Sequence, residues 1–234
     1  MAGLGREGTN FDVSLLHDIN GMARSAPSWF DRAMGFTGEY GIMLVLVLLV
    51  LWCWWSARRL SDEREAVTAL AALVWAPFAA GVAALVNIPI RDFVERPRPF
   101  LDHQGIEVLL PGETGFSFVS GDATMAMALA VGLFMAHRRY GLAAIGLALV
   151  TGFCQVYLGV HYPTDVVGGF ALGTAMTLLF APLALALLTP PLTALARSGR
   201  AGWLVRSRRA AARKRQQEHE QELELERHET GLAA

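Results

Sequence analysis

Apolar and polar positions are arranged along this chain in long blocks rather than in short alternating periods. Five nearly uncharged apolar blocks stand out, at about residues 41–57, 66–90, 118–136, 140–160 and 166–188. An α-helix needs about 20 such residues to cross a hydrocarbon core of about 30 Å. The pattern therefore predicts an all-α membrane protein, a helical bundle with about five transmembrane helices.

The segments on either side of these blocks are too polar to span. Before the first block, apolar residues mix with charged ones such as Asp12, Asp18 and Arg24, which predicts one or two amphipathic helices at the membrane interface. After the last block, a basic run is followed by an acidic one, which predicts a solvated juxtamembrane helix. We therefore predict an interfacial segment (1–36), a transmembrane bundle (37–190) and a charged cytoplasmic tail (191–234).

The long uncharged apolar blocks exclude an ordinary soluble domain, and the average of 53% hydrophobic residues hides how unevenly these residues are distributed. The formal net charge of -1 says little, since basic and acidic residues are segregated along the chain. We expect a membrane as partner and no nucleic acid; the oligomeric state is not predicted. The two cysteines, Cys53 and Cys154, lie in separate apolar blocks and indicate neither a disulfide framework nor a metal cluster.

Arginines near the ends of the blocks predict the orientation of the bundle. Most fall on one side, which is then cytoplasmic; they are Arg58, Arg59, Arg64, Arg138, Arg139 and those from Arg197 onward. Arg91, Arg96 and Arg98 fall on the outer side, against this bias. Such an outward cluster predicts that the outer loop binds an anion.

Three polar stretches lie on that predicted outer side: RDFVERPRPF (91–100), VSGDAT (119–124) and CQVYLGVHYPTD (154–165). Whole helices separate them in sequence, but the topology returns all three to one face. Ionisable groups at membrane depth are costly and usually line a functional cavity. The three stretches together therefore predict a site.

The first two stretches carry groups suited to phosphate. Arg91 and Arg98 supply fixed guanidinium cations. Ser120 and Gly121 open the third block, where free N–H groups and the positive end of the helix dipole favour an anion. A simpler interpretation is that Ser120 or Asp122 caps this helix.

The third stretch pairs a histidine with a carboxylate. His161 and Asp165 are four residues apart, which can place the carboxylate beside the imidazole of a helix. One ring nitrogen would then be held, and the other would be free as a nucleophile or base. Each stretch alone is more often structural, and it is their co-occurrence on one face that favours a site.

Taken together, the stretches resemble the type 2 phosphatidic acid phosphatase superfamily of membrane lipid phosphatases. Its pattern is Lys-x6-Arg-Pro, Pro-Ser-Gly-His and Ser-Arg-x5-His-x3-Asp. This chain reads Arg91-x6-Arg98-Pro99, Val119-Ser120-Gly121-Asp122 and Cys154-Gln155-x5-His161-x3-Asp165. The resemblance covers about residues 66–188. RPRPF, GVHYPTDVVGG and the N-terminal segment look more narrowly like bacterial undecaprenyl-pyrophosphate phosphatases of the bacitracin-resistance type.

The resemblance implies a mechanism. His161 attacks phosphorus and forms a phosphohistidine, with Asp165 orienting the ring, while Arg91 and Arg98 hold the phosphate. No metal or other cofactor is needed. The implied substrate is a polyprenyl diphosphate or a related lipid phosphate, hydrolysed at the outer face of a bacterial plasma membrane.

Two residues of the family pattern are replaced. Asp122 stands where the acid histidine is expected, and Gln155 stands where a phosphate-binding arginine is expected. Both changes weaken binding of a phosphate dianion, and losing a general acid typically costs about 10²–10⁴-fold in rate. Asp122 is itself a candidate acid, if the site keeps its carboxyl protonated.

These departures leave two other hypotheses open. The chain could be a degenerate homologue that binds lipid phosphate, with Gln155 among its binding residues, but does not turn it over. A less favoured hypothesis is a transporter of the lipid carrier. The number of spans and the absence of a visible internal repeat argue weakly against a transporter.

Overall fold

The protein is built from α-helices. The computed structural model describes residues 4–60, 62–110 and 114–198, together with residues 216, 220 and 221, and contains no β-strand in this part of the chain. The helices are α1 (Leu4–Gly21), α2 (Ser28–Phe36), α3 (Ile42–Ala57), α4 (Glu63–Val94), α5 (Pro99–Asp102), α6 (Gly121–Ala136), α7 (Arg138–Tyr157) and α8 (Pro163–Arg197). The predicted tail beyond residue 198 lies almost wholly outside the described residues.

The predicted membrane fold is confirmed. Among the described residues, four helical segments are long and apolar enough to cross a membrane: Ser28–Ala57, Arg64–Asp102, Arg138–Tyr157 and Pro163–Arg197. The remaining predicted block forms α6, an apolar helix of 16 residues. At about 1.5 Å per residue α6 is about 24 Å long, which is shorter than any of the four continuous segments.

Helix α6 lies at the centre of the bundle, packed against α4, α7 and α8. Small residues allow this close approach. A Cβ added to Gly132 would stand 2.4 Å from the Cβ of Ala76 on α4, and one added to Gly173 on α8 would stand 2.3 Å from the carbonyl oxygen of Thr124. Such contacts between small residues are typical of helix packing in membranes.

One end of the bundle gathers the three polar stretches. Asn87 Nδ2 on α4 donates to Val119 O at 3.1 Å, just before α6. The backbone N–H of Ser120 donates to Asp165 O on α8, also at 3.1 Å. At the opposite end Arg64 of α4 and Arg197 of α8 line a common cavity, so the two helices run antiparallel.

Helix α1 packs on the bundle through a partly polar face. Asp12, Leu16 and Asn20 lie one turn apart and are exposed by only 3%, 0% and 1%. A π-helical turn, Thr37–Gly41, joins α2 to α3, so that the predicted boundary at residue 36 falls inside a continuous helical run. The predicted boundary at residue 190 likewise falls inside α8, and the three-part division stays a prediction.

Candidate functional site

The site begins at the mouth of α6, which Ser120 caps. The fully buried Ser120 accepts a hydrogen bond from the N–H of Ala123 through Oγ at 3.4 Å and from that of Thr124 through its carbonyl at 3.1 Å. Gly121 begins the helix, and its N–H has no partner within the helix. This mouth therefore combines a cap with the positive end of the α6 dipole.

Arg91 lies across this mouth. It follows Asn87 by one turn on α4, and its Nη2 lies 3.5 Å from Val119 O. A Cβ on Gly121 would stand 3.3 Å from the same Nη2, so the glycine leaves room for the guanidinium. Among the described residues, the buried Arg91 Nε and Asn87 Oδ1 have no hydrogen-bond partner.

Asn87 and Arg91 both line an open groove of about 440 Å³. Its lining residues are Ala84, Asn87, Ile88, Arg91, Asp92, Gly115, Phe116 and Gly121. A cation with an unsatisfied donor, placed beside a helix N-terminus, is the arrangement that binds a phosphate oxygen. The structure thus brings Arg91, Ser120 and Gly121 together as the sequence predicts.

His161 lies next to this mouth and is 4% exposed. Its Nδ1 is 2.8 Å from the carbonyl oxygen of Ser117. A carbonyl oxygen can only accept, so Nδ1 must carry the hydrogen. In the neutral ring the lone pair is then on Nε2.

Asp165 is fully buried behind the histidine. Its Oδ2 accepts hydrogen bonds from the Tyr162 N–H at 3.0 Å and from the hydroxyl of Ser117. It lies 3.9 Å from His161 Nδ1, which is too long for a hydrogen bond. The expected direct hydrogen bond between His161 and Asp165 is therefore absent, and Ser117 connects the two residues instead. Its backbone carbonyl accepts from His161 Nδ1, and its hydroxyl donates to the Asp165 carboxylate.

Arg96 is a residue of the site that the sequence reasoning missed. Its Nη1 lies 2.6 Å from Asp165 Oδ1, and its Nη2 lies 2.6 Å from Asp12 Oδ2 on α1. The guanidinium lies over the Tyr162 ring, 3.7 Å from its centroid. Burial raises the pKa of the Tyr162 phenol to about 12, so this ring stays neutral. The only sequence signal was the outward arginine cluster, which did not single out Arg96.

Arg98 lies beside the site but is directed at backbone carbonyls. It is 2% exposed and donates to Thr114 O, Gly115 O and Val160 O at 3.2–3.3 Å. These bonds hold the segment before α6 against the residue that precedes His161. The geometry gives Arg98 a structural task in addition to any contact with phosphate.

The two replaced family positions contact each other. Gln155 Nε2 donates to Asp122 Oδ2 at 2.7 Å, and Gln155 is only 2% exposed. Because an amide N–H needs an acceptor, a proton held by Asp122 would sit on Oδ1 rather than Oδ2. The backbone carbonyl of Gln155 also accepts from the His161 N–H at 3.4 Å, which places this pair next to the histidine.

The chain is similar in sequence to several known proteins. The sequence model of the PAP2 superfamily matches residues 72–187. Undecaprenyl-diphosphatase BcrC of Bacillus subtilis is 30% identical over 155 residues, covering 65% of this chain and 74% of that protein. Bacitracin transport permease protein BcrC of Bacillus licheniformis is 26% identical over 170 residues, covering 73% and 79%.

A solved structure has the same fold. A transmembrane PAP2 type phosphatidylglycerolphosphate phosphatase from Bacillus subtilis superposes with a TM-score of 0.54 at 23% identity. The superposition covers 76% of this chain and 86% of that one.

Proposed function

The chain belongs to the PAP2 superfamily, and from this premise we propose that it is an integral membrane lipid phosphatase acting on a polyprenyl diphosphate of the undecaprenyl type or a related lipid phosphate. One observation carries the proposal: the carbonyl of Ser117 holds His161 Nδ1 at 2.8 Å, which leaves Nε2 as the nucleophile. The name of the Bacillus subtilis relative supports the choice of substrate.

In the proposed reaction, His161 Nε2 attacks the terminal phosphorus and the bond from phosphorus to the leaving oxygen breaks. Asp165, 3.9 Å from Nδ1, stabilises the positive charge that the ring gains. Asp122 gives a proton to the leaving oxygen. Water then attacks the phosphohistidine, returns a proton to Asp122 and releases inorganic phosphate, while the freed imidazole regains its lone pair.

The phosphate is held at the mouth of α6. Arg91 supplies the cation, and the N–H of Gly121 at the start of the helix binds a remaining oxygen. Ser120 supports this cradle as the helix cap, because its own N–H already donates to Asp165 O. Arg98 mainly stabilises the backbone around this site, because several of its N–H groups already donate to backbone carbonyls. Gln155 acts through its hydrogen bond to Asp122.

We place this site at the outer face of a bacterial plasma membrane, with the C-terminus in the cytoplasm. The bias of flanking arginines supports this orientation. A cysteine introduced at Gln104, an exposed position in the loop between α5 and α6, tests it. A membrane-impermeant maleimide should label this cysteine on intact cells, and labelling only after lysis would reverse the orientation.

A second candidate is a degenerate homologue that binds lipid phosphate without turnover. The hydrogen bond between Gln155 and Asp122 favours this candidate. At the position of the expected acid, it places a carboxylate oxygen that accepts a hydrogen bond instead of donating a proton. The double change Asp122→His with Gln155→Arg decides between the two. This candidate gains if activity arises from none, and it fails if an active enzyme is little changed.

A transporter of the lipid carrier is the third candidate, favoured only by the name of the Bacillus licheniformis relative. Purified protein in vesicles distinguishes it from a phosphatase. Movement of labelled undecaprenyl phosphate between leaflets without hydrolysis would support transport.

The decisive experiment measures phosphate released from undecaprenyl diphosphate by the purified chain. His161→Ala should lower the rate by at least about 10³-fold, because the covalent route is lost. His17→Ala, at an exposed position on α1, is the matched control and should leave the rate unchanged. Phosphate trapped on the protein should be acid-labile and alkali-stable. Equal rates in the wild type and His161→Ala would refute the proposal.

A further inference from the structure

The buried face of α1 is polar at the point where it meets the start of α8. Asp12 Oδ1 accepts from the backbone N–H of Thr164 at 3.0 Å, and Oδ2 accepts from the Thr164 hydroxyl at 2.6 Å. Thr164 is the second residue of α8, so Asp12 satisfies one of the N–H groups that the helix start leaves unpaired. A residue of the N-terminal segment thus caps the helix that carries Asp165.

The same carboxylate also holds Arg96. One edge of the guanidinium binds Asp12 Oδ2 and the other binds Asp165 Oδ1, both at 2.6 Å. The two carboxylates are 3% and 0% exposed, so each needs a charged partner. Arg96 satisfies both at once because its donors form a rigid planar fork.

A continuous chain of contacts therefore leads from α1 to the histidine. It runs from Asp12 to Arg96, then to Asp165, then through the hydroxyl of Ser117 to the backbone carbonyl of the same residue, which holds His161 Nδ1. Loss of the first contact frees one edge of the guanidinium. Arg96 then keeps only its Nη1 hydrogen bonds, to Asp165 Oδ1 and to Thr164 Oγ1 at 2.7 Å, and the guanidinium can pivot about them. Asp165 Oδ1 loses a cation of fixed position, while Oδ2 keeps the Tyr162 N–H and the Ser117 hydroxyl.

We propose that Asp12 is a positioning residue for the His161–Asp165 pair, so that α1 is part of the active site as well as a segment at the membrane interface. The effect that we predict on kcat rests on the proposed phosphatase function. Asp12 acts through Arg96 rather than on the substrate. Its loss should therefore slow the chemical step and leave substrate binding nearly unchanged.

The first test is Asp12→Asn. Asparagine keeps an oxygen for the Thr164 N–H but turns an NH₂ group toward Arg96, which also has only donors. We expect kcat for undecaprenyl diphosphate to fall by about 10–100-fold, the order expected for a misplacement of about 1 Å, with KM within about twofold. Asp18→Asn, at an exposed position on the same helix, is the matched control and should change neither constant.

A double-mutant cycle tests whether Asp12 acts through Arg96. If it does, Asp12→Asn should have almost no further effect on kcat in an Arg96→Gln background. All four proteins are compared at a temperature at which each elutes as folded protein. Fully additive losses would overturn the proposal, because they would show that Asp12 acts by another route.

A spectroscopic arm separates failure of this proposal from failure of the proposed function. In ¹⁵N-histidine-labelled protein, the His161 signals, assigned with His161→Gln, should show hydrogen on Nδ1 in the wild type and in Asp18→Asn. Asp12→Asn should shift or broaden them. If no variant hydrolyses the lipid but this shift appears, the phosphatase function fails and the positioning role stands. Identical His161 signals in Asp12→Asn and Asp18→Asn would overturn the positioning role.

Discussion

The two halves of the site differ in how their polar groups are satisfied. In the closed half (Ser117, His161 and Asp165), each side chain has a partner within the protein. In the open half (Asn87 and Arg91, facing the groove), two buried polar atoms have no partner among the described residues. The closed half is therefore set before substrate arrives, whereas the open half still needs a ligand.

This difference fits the roles that we propose for the two halves, a nucleophile in the closed half and a phosphate site in the open half. A nucleophile must be held in one tautomer and one orientation, and hydrogen bonds formed during folding provide this without reorganisation during the reaction. A phosphate site must leave donors free, although a buried unpaired group costs about 1–3 kcal/mol. In the open half, a phosphate oxygen would offset that cost at Arg91 Nε, which is the donor of the two unpaired atoms.

The largest effect should come from breaking the closed half at Asp165. In Asp165→Asn one oxygen is replaced by an NH₂ group, so that either Arg96 or the donors of Ser117 and Tyr162 lose their acceptor. We expect kcat to fall by about 10³–10⁴-fold, as when the carboxylate of a catalytic triad is replaced by its amide. Phosphate release under substrate saturation measures this.

The control for that change is Asp102→Asn, at an exposed carboxylate of α5 on the same side of the protein. It should keep kcat within about twofold, because an exposed charge contributes little. A loss in Asp165→Asn no larger than that in Asp102→Asn would show that the closed half does not orient His161.

A substitution in the open half should change kcat/KM through substrate binding, and not kcat alone. Arg91→Gln removes the cation at the mouth of α6, and we expect kcat/KM to fall by about 10–100-fold, the worth of a hydrogen bond to a charged group. Arg91→Lys should recover part of this loss, since the family pattern has lysine at the position. A change in kcat alone, with KM unaltered, would contradict a role in holding the substrate's phosphate.

The fold was predictable because length and apolar character decide which segments can cross a membrane. All five apolar blocks became helices, and the topology brought the three polar stretches to one end. The spacing of His161 and Asp165 also predicted that the two would lie close together. These features depend on positions near each other in sequence or on helix length alone.

The contacts of Arg96 were not predictable in the same way. Three arginines lie within eight residues of each other, and the partner of Arg96 on α1 is 84 residues away. Which arginine meets which carboxylate depends on side-chain geometry that no periodicity encodes. Asp12 was interpreted as part of the polar face of an interfacial helix, because a buried polar face and a solvated one have the same spacing.

The smallest effect should come from Gly121→Ala, which narrows the open half without removing any polar group. The new Cβ would stand 3.3 Å from Arg91 Nη2, the end of a flexible side chain that can shift by a few tenths of an ångström. We expect KM to rise about two- to fivefold at nearly constant kcat, since only the position of the cation changes. Thermal stability should stay equal or rise, because alanine is favoured over glycine in a helix by up to about 1 kcal/mol. Gly81→Ala on α4, where an added Cβ meets nothing within 4 Å, is the matched control and should raise stability without changing KM. If both variants kept the wild-type KM, Arg91 would not lie across the mouth of α6 in the working enzyme, and the open half would have to bind phosphate by other groups.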